Sequence, residues 1–428
     1  MIIVPVITSD SAKYDEIAQL LQESASIYGT THINDVEQAI DFLSVEMPEL
    51  AIVDFSDARL DTKLLLQLIK KDTWLLNTGI VGICSSSEAL RSIDCSGGIN
   101  ILVLIEEARM RRKLPRIANI ICHNRHMLLQ RVIGKDFGSN IPAVFELQND
   151  PVEATCLTNF ICNYLFYLNR VDASGKDQLS FVLIELLVNA IEHGNCGISY
   201  KEKTDWLEHN SDICDLIDQK LADPNIAGRK VFLQCSVLPE RSIFKITDEG
   251  SGFDWKSVVN ARQELNSLEL HGRGVILSRE MSANLSYNEL GNEVGFEFIH
   301  QHGISNFTPA IFTHLDKLLF NAGDTIFNQG DAGDHLYYIV SGSYDVFAGT
   351  TKIATLTQDD IFLGEMSFLL NSHRSATIKS VSGGCLIKIS KRDFVEAVKK
   401  KPHYALFLSR LLARRIESSN LRVGFYKT

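Results

Sequence analysis

The sequence lacks the features that mark membrane, secreted and zinc-binding proteins. It holds no apolar run of roughly 18 residues, and the opening stretch from Met1 to Asp10 has neither the positive start nor the small-residue cleavage site of a signal peptide. Its nine cysteines are scattered and form no C-x-x-C pair, which argues against structural zinc and against a disulfide framework. We therefore expect a cytoplasmic protein with no membrane association.

Positive charge is also scarce. The chain has 42 Lys and Arg against 53 Asp and Glu, a net charge of −11, so its surface as a whole repels polyanions and direct DNA binding is not expected. Of its 428 residues 45% are hydrophobic, enough for large buried cores. At about 150 residues per domain, this length predicts roughly three globular units.

The first segment, residues 1–134, alternates short apolar runs with amphipathic stretches. Such runs are typical of strands in a parallel sheet that is buried on both faces, and repeated βα units predict a doubly wound α/β domain. The arginine-rich stretch from Glu106 to Val132 is predicted to be a last helix that continues as a connector. The predicted strands are Ile2–Ile7, Leu50–Val53, Ile80–Cys84 and Ile99–Leu104.

In the second segment, residues 143–300, long helices precede strands. The pattern predicts helices over Cys156–Asn169 and Gln178–His193, then strands over Lys230–Leu238 and Arg241–Thr247. We expect a two-layer α/β sandwich with helices on one face of a mixed sheet. The charged stretch 201–229 reads as a helical insertion that forms a lid or a partner surface.

Closely spaced glycines punctuate the third segment, residues 307–428. This spacing predicts tight turns between the short strands of a β-roll. Pro402 opens a terminal helix with an apolar stripe that packs on its own domain or on a twin helix in a homodimer. The members of the stripe are Tyr404, Leu408, Leu411, Leu412 and Ile416.

The second predicted helix of the middle segment carries a polar stripe. Glu185, Asn189 and His193 are spaced i, i+4 and i+8 on an otherwise apolar helix. A solvated face would carry Lys and Glu instead. The stripe therefore faces something that requires a carboxylate, an amide oxygen and an imidazole.

Two glycine turns follow this helix along the chain. Asp248 ends a predicted strand and is followed by Gly250 and Gly252, and the later turn with Gly272 and Gly274 opens another helix. Backbone N–H groups at such a helix start can hold phosphates. The order of stripe and turns predicts a nucleotide site.

These residues resemble the N, G1 and G2 boxes of the ATPase superfamily shared by gyrase, chaperones, histidine kinases and mismatch-repair proteins. The resemblance covers about Val152 to Ile299 and is strongest to the anti-sigma-factor serine kinases. It implies that Asn189 coordinates Mg²⁺, that Glu185 is the general base toward a hydroxyl, and that Asp248 accepts the adenine amino group.

The same resemblance implies that the glycines hold the rest of ATP. Gly250 and Gly252 let the backbone approach base and sugar, while Gly272 and Gly274 cradle the phosphates and Arg273 neutralises charge on the γ-phosphate. His193 completes the predicted ATP contacts, and residues 254–270 would form the moving lid. The insertion after His193 is longer than the minimal family core, so partner geometry does not carry over.

Three functional readings stay open for this middle domain. The resemblance implies a protein serine kinase that acts on an anti-sigma-antagonist-like protein or a sigma factor. Members of the superfamily that use ATP only as a conformational switch suggest a non-catalytic, nucleotide-gated scaffold. A histidine kinase would need an accepting histidine upstream, for which His123 and His126 are the candidates, although neither stands in the expected motif.

The first segment resembles a response-regulator receiver. Asp54 occupies the position of the phosphorylated residue at the end of the third strand, but Asp10 offers one carboxylate where two usually hold Mg²⁺. The expected lysine near the fifth strand is missing, so little would balance the charge of a phosphoryl group. Ser85 or Ser86 could supply the hydroxyl. We expect a degenerate, non-phosphorylated receiver that serves docking or dimerisation.

The third segment resembles a cyclic-nucleotide-binding domain of the catabolite-activator type. The resemblance is carried by Asn321–Gly330, Leu336–Gly342 and above all Phe362–Thr377. It implies that Glu365 accepts the ribose 2′-hydroxyl and that Arg374 pairs with the cyclic phosphate.

Further groups of this cassette are implied to contact the same phosphate. Gly364 and Met366 offer backbone groups and Ser375 a hydroxyl, and the resemblance favours cAMP over cGMP. A winged helix that reads DNA would need three helices of about 11 residues each, but only eleven residues follow Glu417. We therefore expect a ligand sensor without direct DNA binding, whose occupancy biases the ATP-binding domain.

Overall fold

The structure of the chain is a computed structural model. It describes residues 2–24, 28–72, 75–86, 93, 99–123, 143–209, 213–238, 240–253, 255, 273–301, 306, 309–406, 408–409 and 412–413.

The N-terminal part is a five-stranded parallel sheet with strand order β2-β1-β3-β4-β5. Its central strands are apolar because both faces are covered, and every residue of Leu50–Asp54 and Gly79–Cys84 is buried. The polar strand Tyr28–Ile33 is buried only at its two ends, as an edge strand can be. The strands are β1 Ile2–Ile7, β2 Tyr28–Ile33, β3 Leu50–Asp54, β4 Gly79–Cys84 and β5 Ile101–Glu106.

Aspartates start two of the helices around this sheet. The Asp35 carboxylate accepts from Gln38 N and the Asp61 carboxylate from Leu64 N, which satisfies amides that have no partner inside the helix. The helices are α1 Ser11–Ser24, α2 Val36–Glu46, α3 Thr62–Lys71 and α4 Met110–His123. His126 and most of the predicted connector lie outside the described residues.

The middle part is a second five-stranded sheet, in the order β6-β7-β8-β10-β9. Every neighbouring pair in it is antiparallel, so the expectation of a mixed sheet is wrong. Alternating burial along β8 places one face on the core, which suits an antiparallel sheet with helices on that face alone. The strands are β6 Ala143–Leu147, β7 Val231–Val237, β8 Arg241–Asp248, β9 Ala283–Tyr287 and β10 Glu293–Ile299.

Six helices accompany this sheet within the described residues. The first is buried along nearly its whole length and packs against β5, α4 and the helix that follows it. The second ends at Asn189 and continues as one turn of π-helix over Ala190–Asn195. The helices are α5 Pro151–Tyr167, α6 Ala173–Asn189, α7 Tyr200–His209, α8 Ile213–Lys220, α9 Pro224–Ala227 and α10 Arg273–Met281.

The first two parts share one hydrophobic core, which runs from β1 through α5 to β10. Buried polar contacts cross the boundary: Asn163 Nδ2 donates to Asn100 Oδ1 at 2.7 Å, and the Lys113 ammonium forms an ion pair with Asp150. Because buried polar groups must be paired, these contacts fix how α5 lies against β5.

The C-terminal part is a six-stranded β-roll built around two long antiparallel strands. Register shifts along their pairing let the two long strands bend around a second core. Its elements are β11 Lys317–Phe320, β12 Thr325–Phe327, β13 His335–Ala348, β14 Thr351–Leu356, β15 Phe362–Leu363, α11 Glu365–Leu370, β16 Thr377–Ser390 and α12 Lys391–Lys400.

Residues 403–406 are helical again beyond Pro402, and Tyr404 and Leu408 of the predicted stripe are buried. Leu411 and Ile416 lie outside the described residues. Within the described parts of the chain, no single helix is long and apolar enough to cross a membrane, although the bent pair 173–195 and 200–209 passes that test of length and composition jointly.

Candidate functional sites

The stripe on α6 is only partly continuous. Glu185 and Asn189 lie on successive turns, and Asn189 Nδ2 donates to Glu185 Oε1 at 3.4 Å, which leaves the amide oxygen of Asn189 available to a cation. The helix continues past His193, as predicted, but His193 lies on a π-helical turn, so the regular i, i+4, i+8 spacing does not extend to it. The inserted residue changes the direction of the side chains that follow, and such turns are frequent at functional sites.

His193 is engaged within its own loop. Its Nδ1 lies 2.5 Å from the Ile198 carbonyl oxygen, and its ring centroid lies 4.2 Å from that of Tyr200. Burial lowers the pKa of His193, although the Ile198 carbonyl works in the opposite direction. Its neutral ring holds the loop after α6.

The structure brings the three sequence motifs of the middle domain together. A Cβ atom added to Gly194 would lie 2.5 Å from Asp248 Cγ, and one added to Gly250 would lie 2.1 Å from the Gly194 carbonyl oxygen. A Cβ atom added to Gly274 would lie 1.8 Å from Glu185 Oε1. At Gly250 the neighbour is backbone, so glycine is required there, whereas a Cβ atom at Gly194 or Gly274 would displace the side chain of Asp248 or Glu185.

Asp248 is the most perturbed acid of this cluster. Its side chain accepts from Gly250 N at 2.9 Å and is only 7% exposed. Burial raises its pKa from 3.8 to about 6, although Gly250 N–H and Arg229 favour the ionised form. A buried carboxyl group with a pKa of about 6 is suited to accept a hydrogen bond from a donor such as an amino group.

Several residues that sequence reasoning missed support this cluster. Asn195 is fully buried, and its Oδ1 accepts from Glu249 N at 2.8 Å, so it ties the end of the π-turn to the Asp248 loop. Tyr287 packs against Phe253 and Trp255, with ring centroids 5.4 Å and 5.9 Å away. Burial raises the pKa of Tyr287, and the charges of Glu185 and Asp248 add to the effect.

The remaining predicted members are only partly described. Gly252 has φ +75°, and its added Cβ would lie 1.9 Å from the Leu290 carbonyl oxygen. The backbone of Arg273 starts α10, but Gly272, the Arg273 side chain and the predicted lid 254–270, apart from Trp255, lie outside the described residues.

Asp54 of the N-terminal sheet lies in a pocket that already contains a cation. Thr8 Oγ1 donates to Asp54 Oδ2 at 3.0 Å, and Lys13 Nζ lies 3.1 Å from Asp54 and 3.0 Å from Glu107. The fifth strand carries no lysine, as expected, but α1 supplies an ammonium instead, so the expectation that little positive charge is present at this position is wrong. Burial would lower the pKa of Lys13, but Glu107 and Asp54 raise it overall.

The Asp10 carboxylate, by contrast, caps α1. Its Oδ1 accepts from Ala12 N at 2.9 Å. A second acid lies closer to the pocket, where Asp57 Oδ2 accepts from Ser9 N at 2.5 Å. Neither position could be read from spacing alone.

In the β-roll, Arg374 is a buried cation, 4% exposed. Its Nη1 donates to the Gly364 carbonyl oxygen and to Ser367 Oγ, both at 2.8 Å, and its Nη2 donates to the His335 carbonyl oxygen at 2.6 Å. Nε has no hydrogen-bond partner among the described residues. Burial lowers the pKa of Arg374 from its ordinary value, so this site favours an added anion.

Two aromatic rings that sequence reasoning missed hold the guanidinium. The Arg374 Cζ atom lies 4.3 Å from the Phe327 ring centroid and 5.7 Å from that of Tyr337. Gly364 has φ +75°, and a Cβ atom there would lie 2.2 Å from Arg374 Nη1. Only glycine leaves room for this arginine.

The other predicted members of the cassette surround this arginine in sequence. Glu365 starts α11 and is 8% exposed, while Met366 is 55% exposed. Ser375 is exposed beside Arg374. The cassette therefore combines a buried acid and a buried cation with exposed flanking residues.

Comparison with known proteins finds relatives of this C-terminal part. Residues 317–401 match the cyclic nucleotide-binding domain family. A stretch of 115 residues, 26% of this chain and 53% of the relative, is 30% identical to the cyclic AMP receptor protein of Thermus thermophilus. A stretch of 91 residues, 21% of this chain and 10% of the relative, is 33% identical to the cGMP-dependent protein kinase of Plasmodium berghei.

Among solved structures, the crystal structure of the Thermus thermophilus catabolite activator protein is similar. It is 29% identical with a TM-score of 0.26, and the match covers 27% of this chain and 57% of that one. The matched stretches span about half or less of these proteins. The chain is thus a mixed α/β multidomain protein with a C-terminal cyclic-nucleotide-binding domain of the catabolite-activator type.

Proposed function

We propose that the protein is a signalling kinase whose middle domain binds Mg-ATP and phosphorylates a serine of a partner protein, under control of cyclic AMP bound in the β-roll. The observation that carries the ATP assignment is the meeting of α6, the Asp248 loop and the start of α10 at glycines 194, 250 and 274. Three motifs far apart in the sequence are thereby brought to one place.

The chemistry of these residues fits a magnesium nucleotide. An amide oxygen on Asn189 beside the Glu185 carboxylate offers hard oxygen donors. Asp248 offers a buried acceptor for the adenine amino group, and the start of α10 at Arg273 and Gly274 presents N–H groups to phosphates. Bound magnesium would neutralise charge on the phosphates.

Within this site Glu185 would act as general base. Its carboxylate would take the proton of the partner's serine hydroxyl as the oxygen forms a bond to the γ-phosphorus. The bond to the β-phosphate oxygen breaks, and ADP leaves. Glu185 lies against Gly274, so the first turn of α10 fixes the position of the base.

The β-roll would hold the cyclic nucleotide through Arg374 and Glu365. The guanidinium with a free Nε supports a charge-assisted bond to the cyclic phosphate, and Glu365 at the start of α11 supports a bond to the ribose hydroxyl. The expected protein substrate is a small anti-sigma-antagonist-like protein or a sigma factor. The N-terminal domain, in which the Lys13 ammonium already pairs with Asp54, would serve docking or dimerisation without being phosphorylated.

The test uses the full-length protein. We expect calorimetry to detect Mg-ATP, the Asn189→Ala variant to lose that binding, and labelled ATP to leave an acid-stable phosphate on an anti-sigma-antagonist-like protein. Binding of ATP with no transfer would favour the nucleotide-gated scaffold, and an acid-labile label would favour a histidine kinase. Folded protein without any Mg-ATP binding refutes the proposal.

A matched pair of glycine variants tests the role of Glu185. Gly274→Ala should push the Glu185 carboxylate aside and lower the phosphorylation rate at least tenfold with little change in melting temperature, since the end of a flexible side chain can move. Gly295→Ala, whose Cβ would meet the Phe244 carbonyl oxygen at an ordinary contact distance of 3.7 Å, should leave the rate unchanged. Equal rates in both variants would contradict the assignment of the base.

A further inference from the structure

The β-roll touches the N-terminal sheet domain through a buried carboxylate. Asp72, at the end of α3, is 2% exposed, and its Oδ2 lies 3.1 Å from Lys401 Nζ and 3.1 Å from His403 Nε2. Burial alone would raise the pKa of Asp72, but His403 and Lys401 outweigh it and hold the pKa below its ordinary value. Both neighbours therefore favour the ionised form of this carboxylate.

On its C-terminal side this contact is continuous with the cyclic-nucleotide cassette. Phe368 of α11 meets Phe394 of α12 edge-on, with centroids 5.6 Å apart, and Tyr404 lies next to His403 in the chain and packs 6.1 Å from Phe312. These rings belong to one buried cluster, against which Met47 of the N-terminal domain also packs. A shift of α11 would therefore be transmitted through these rings to residues 401–404, which include the two side chains that contact Asp72.

On its N-terminal side the contact leads to the helix of the ATP site. Leu75 N donates to the Asp72 carbonyl oxygen at 2.9 Å, and Tyr167 of α5 donates its hydroxyl to the Leu76 carbonyl oxygen. Helix α5 packs along α6, the helix that carries Glu185. A continuous series of contacts thus connects Asp72 to α6 on one side and to α11 on the other.

We infer that Asp72 is the docking residue through which occupancy of the β-roll changes the ATP-site helix α6. The inference rests on the proposed function, because it specifies how that function is regulated. An ionised, buried carboxylate is strongly disfavoured without a partner such as the Lys401 ammonium. The contact is therefore either made or broken as a whole, which provides the two arrangements that coupling between sites requires.

The experiment is hydrogen exchange on the full-length protein with and without cyclic AMP, whose binding is measured separately by calorimetry. In the wild type, cyclic AMP should change exchange over residues 160–187 at least threefold. Asp72→Asn and Lys401→Met should reduce that change to less than a third while cyclic AMP still binds. The control Asp345→Asn removes an ion pair of 2.8 Å with Lys352 inside the β-roll and should transmit the change fully.

The outcomes separate this inference from the proposed function. Variants at Asp72 and Lys401 that transmit the change as the wild type does would overturn the inference and leave the sensor intact. A wild type that binds no cyclic AMP refutes the regulated kinase. Even then, the docking contact of Asp72 can be tested in protein without cyclic AMP. Asp72→Asn should raise hydrogen exchange over residues 403–406 at least threefold, and unchanged exchange there would overturn the role of Asp72 as a docking residue.

Discussion

Replacement of Asp248 should make the middle domain more stable while weakening ATP binding. Burial raises the pKa of this carboxyl from 3.8 to about 6, and each pKa unit corresponds to about 1.4 kcal/mol. The ionised form therefore costs the folded state up to about 3 kcal/mol at pH 7.5. Asp248→Asn removes that charge, so we expect the free energy of unfolding at pH 7.5 to rise by about 1 to 3 kcal/mol.

The pH dependence gives the sign of this effect. Because the folded-state pKa is the higher one, the proton on Asp248 stabilises the fold fully below pH 4 or so, and this contribution is lost as the pH rises through about 6. The difference between Asp248→Asn and wild type should therefore grow from near zero at pH 4 to its maximum above pH 7. Hydrogen exchange of the β7 and β8 amides measures it locally, which avoids assuming two-state unfolding of three domains.

Asp248→Asn should lower the affinity for ATP although it raises the free energy of unfolding. In the proposed ATP site, the ionised carboxylate would accept a hydrogen bond from the adenine amino group. A hydrogen bond to a charged group contributes about 1.5 to 3 kcal/mol, so Asp248→Asn should bind ATP about tenfold to about a hundredfold more weakly. In the wild type, affinity should fall as the pH drops below about 6. A variant that is less stable than wild type at pH 7.5, or that binds ATP equally well, would refute the reasoning.

The other two predictions concern the remaining buried charges. Gly364→Ala should weaken cyclic AMP binding at least tenfold in calorimetry, because the added Cβ would displace Arg374. The control Gly349→Ala, at φ +58° and with no described atom within 4 Å of its Cβ, imposes similar backbone strain and should leave the affinity unchanged. Equal losses of affinity in both variants would show that backbone strain alone is responsible. Lys13→Met leaves the Asp54 carboxylate buried without the Lys13 ammonium and should lower the free energy of unfolding by about 3 kcal/mol. Hydrogen exchange of the β1 and β3 amides measures this loss. A variant as stable as the wild type would show that Asp54 does not need this ammonium.

Strands with strong apolar runs could be predicted from the sequence. The run Ile80–Cys84 falls within β4, and Ile2–Ile7 coincides with β1. Strand β2 was missed because Tyr28–Ile33 is mostly polar, and β6 was missed because only two of its five residues are buried. Edge strands are held by backbone pairing with a neighbour, and composition does not record that pairing.

The candidate sites likewise contain residues that local sequence marks and residues that only contacts between distant elements bring together. Local spacing or a strand end singles out Glu185, Asn189 and Asp248 in the sequence, and the structure brings their motifs together, although their role in binding ATP stays a prediction. Lys13 near Asp54, and Phe327 with Tyr337 around Arg374, depend on contacts between distant elements. The π-turn after Asn189 escaped prediction because one extra residue in a helix leaves the apolar pattern nearly unchanged.

The shared core of the first two sheets has a consequence for how this protein can be divided. Removing residues 1–134 would strip the cover from α5, which is buried along nearly its whole length, and would leave Asn163 without Asn100. The two sheets should therefore melt together as one cooperative block, and a shortened chain that begins at Ala143 should aggregate. Recombination between genes could exchange the β-roll far more easily than it could separate the halves of that block, because the buried members of its two clusters all come from the β-roll and Met47 packs against one of them from outside.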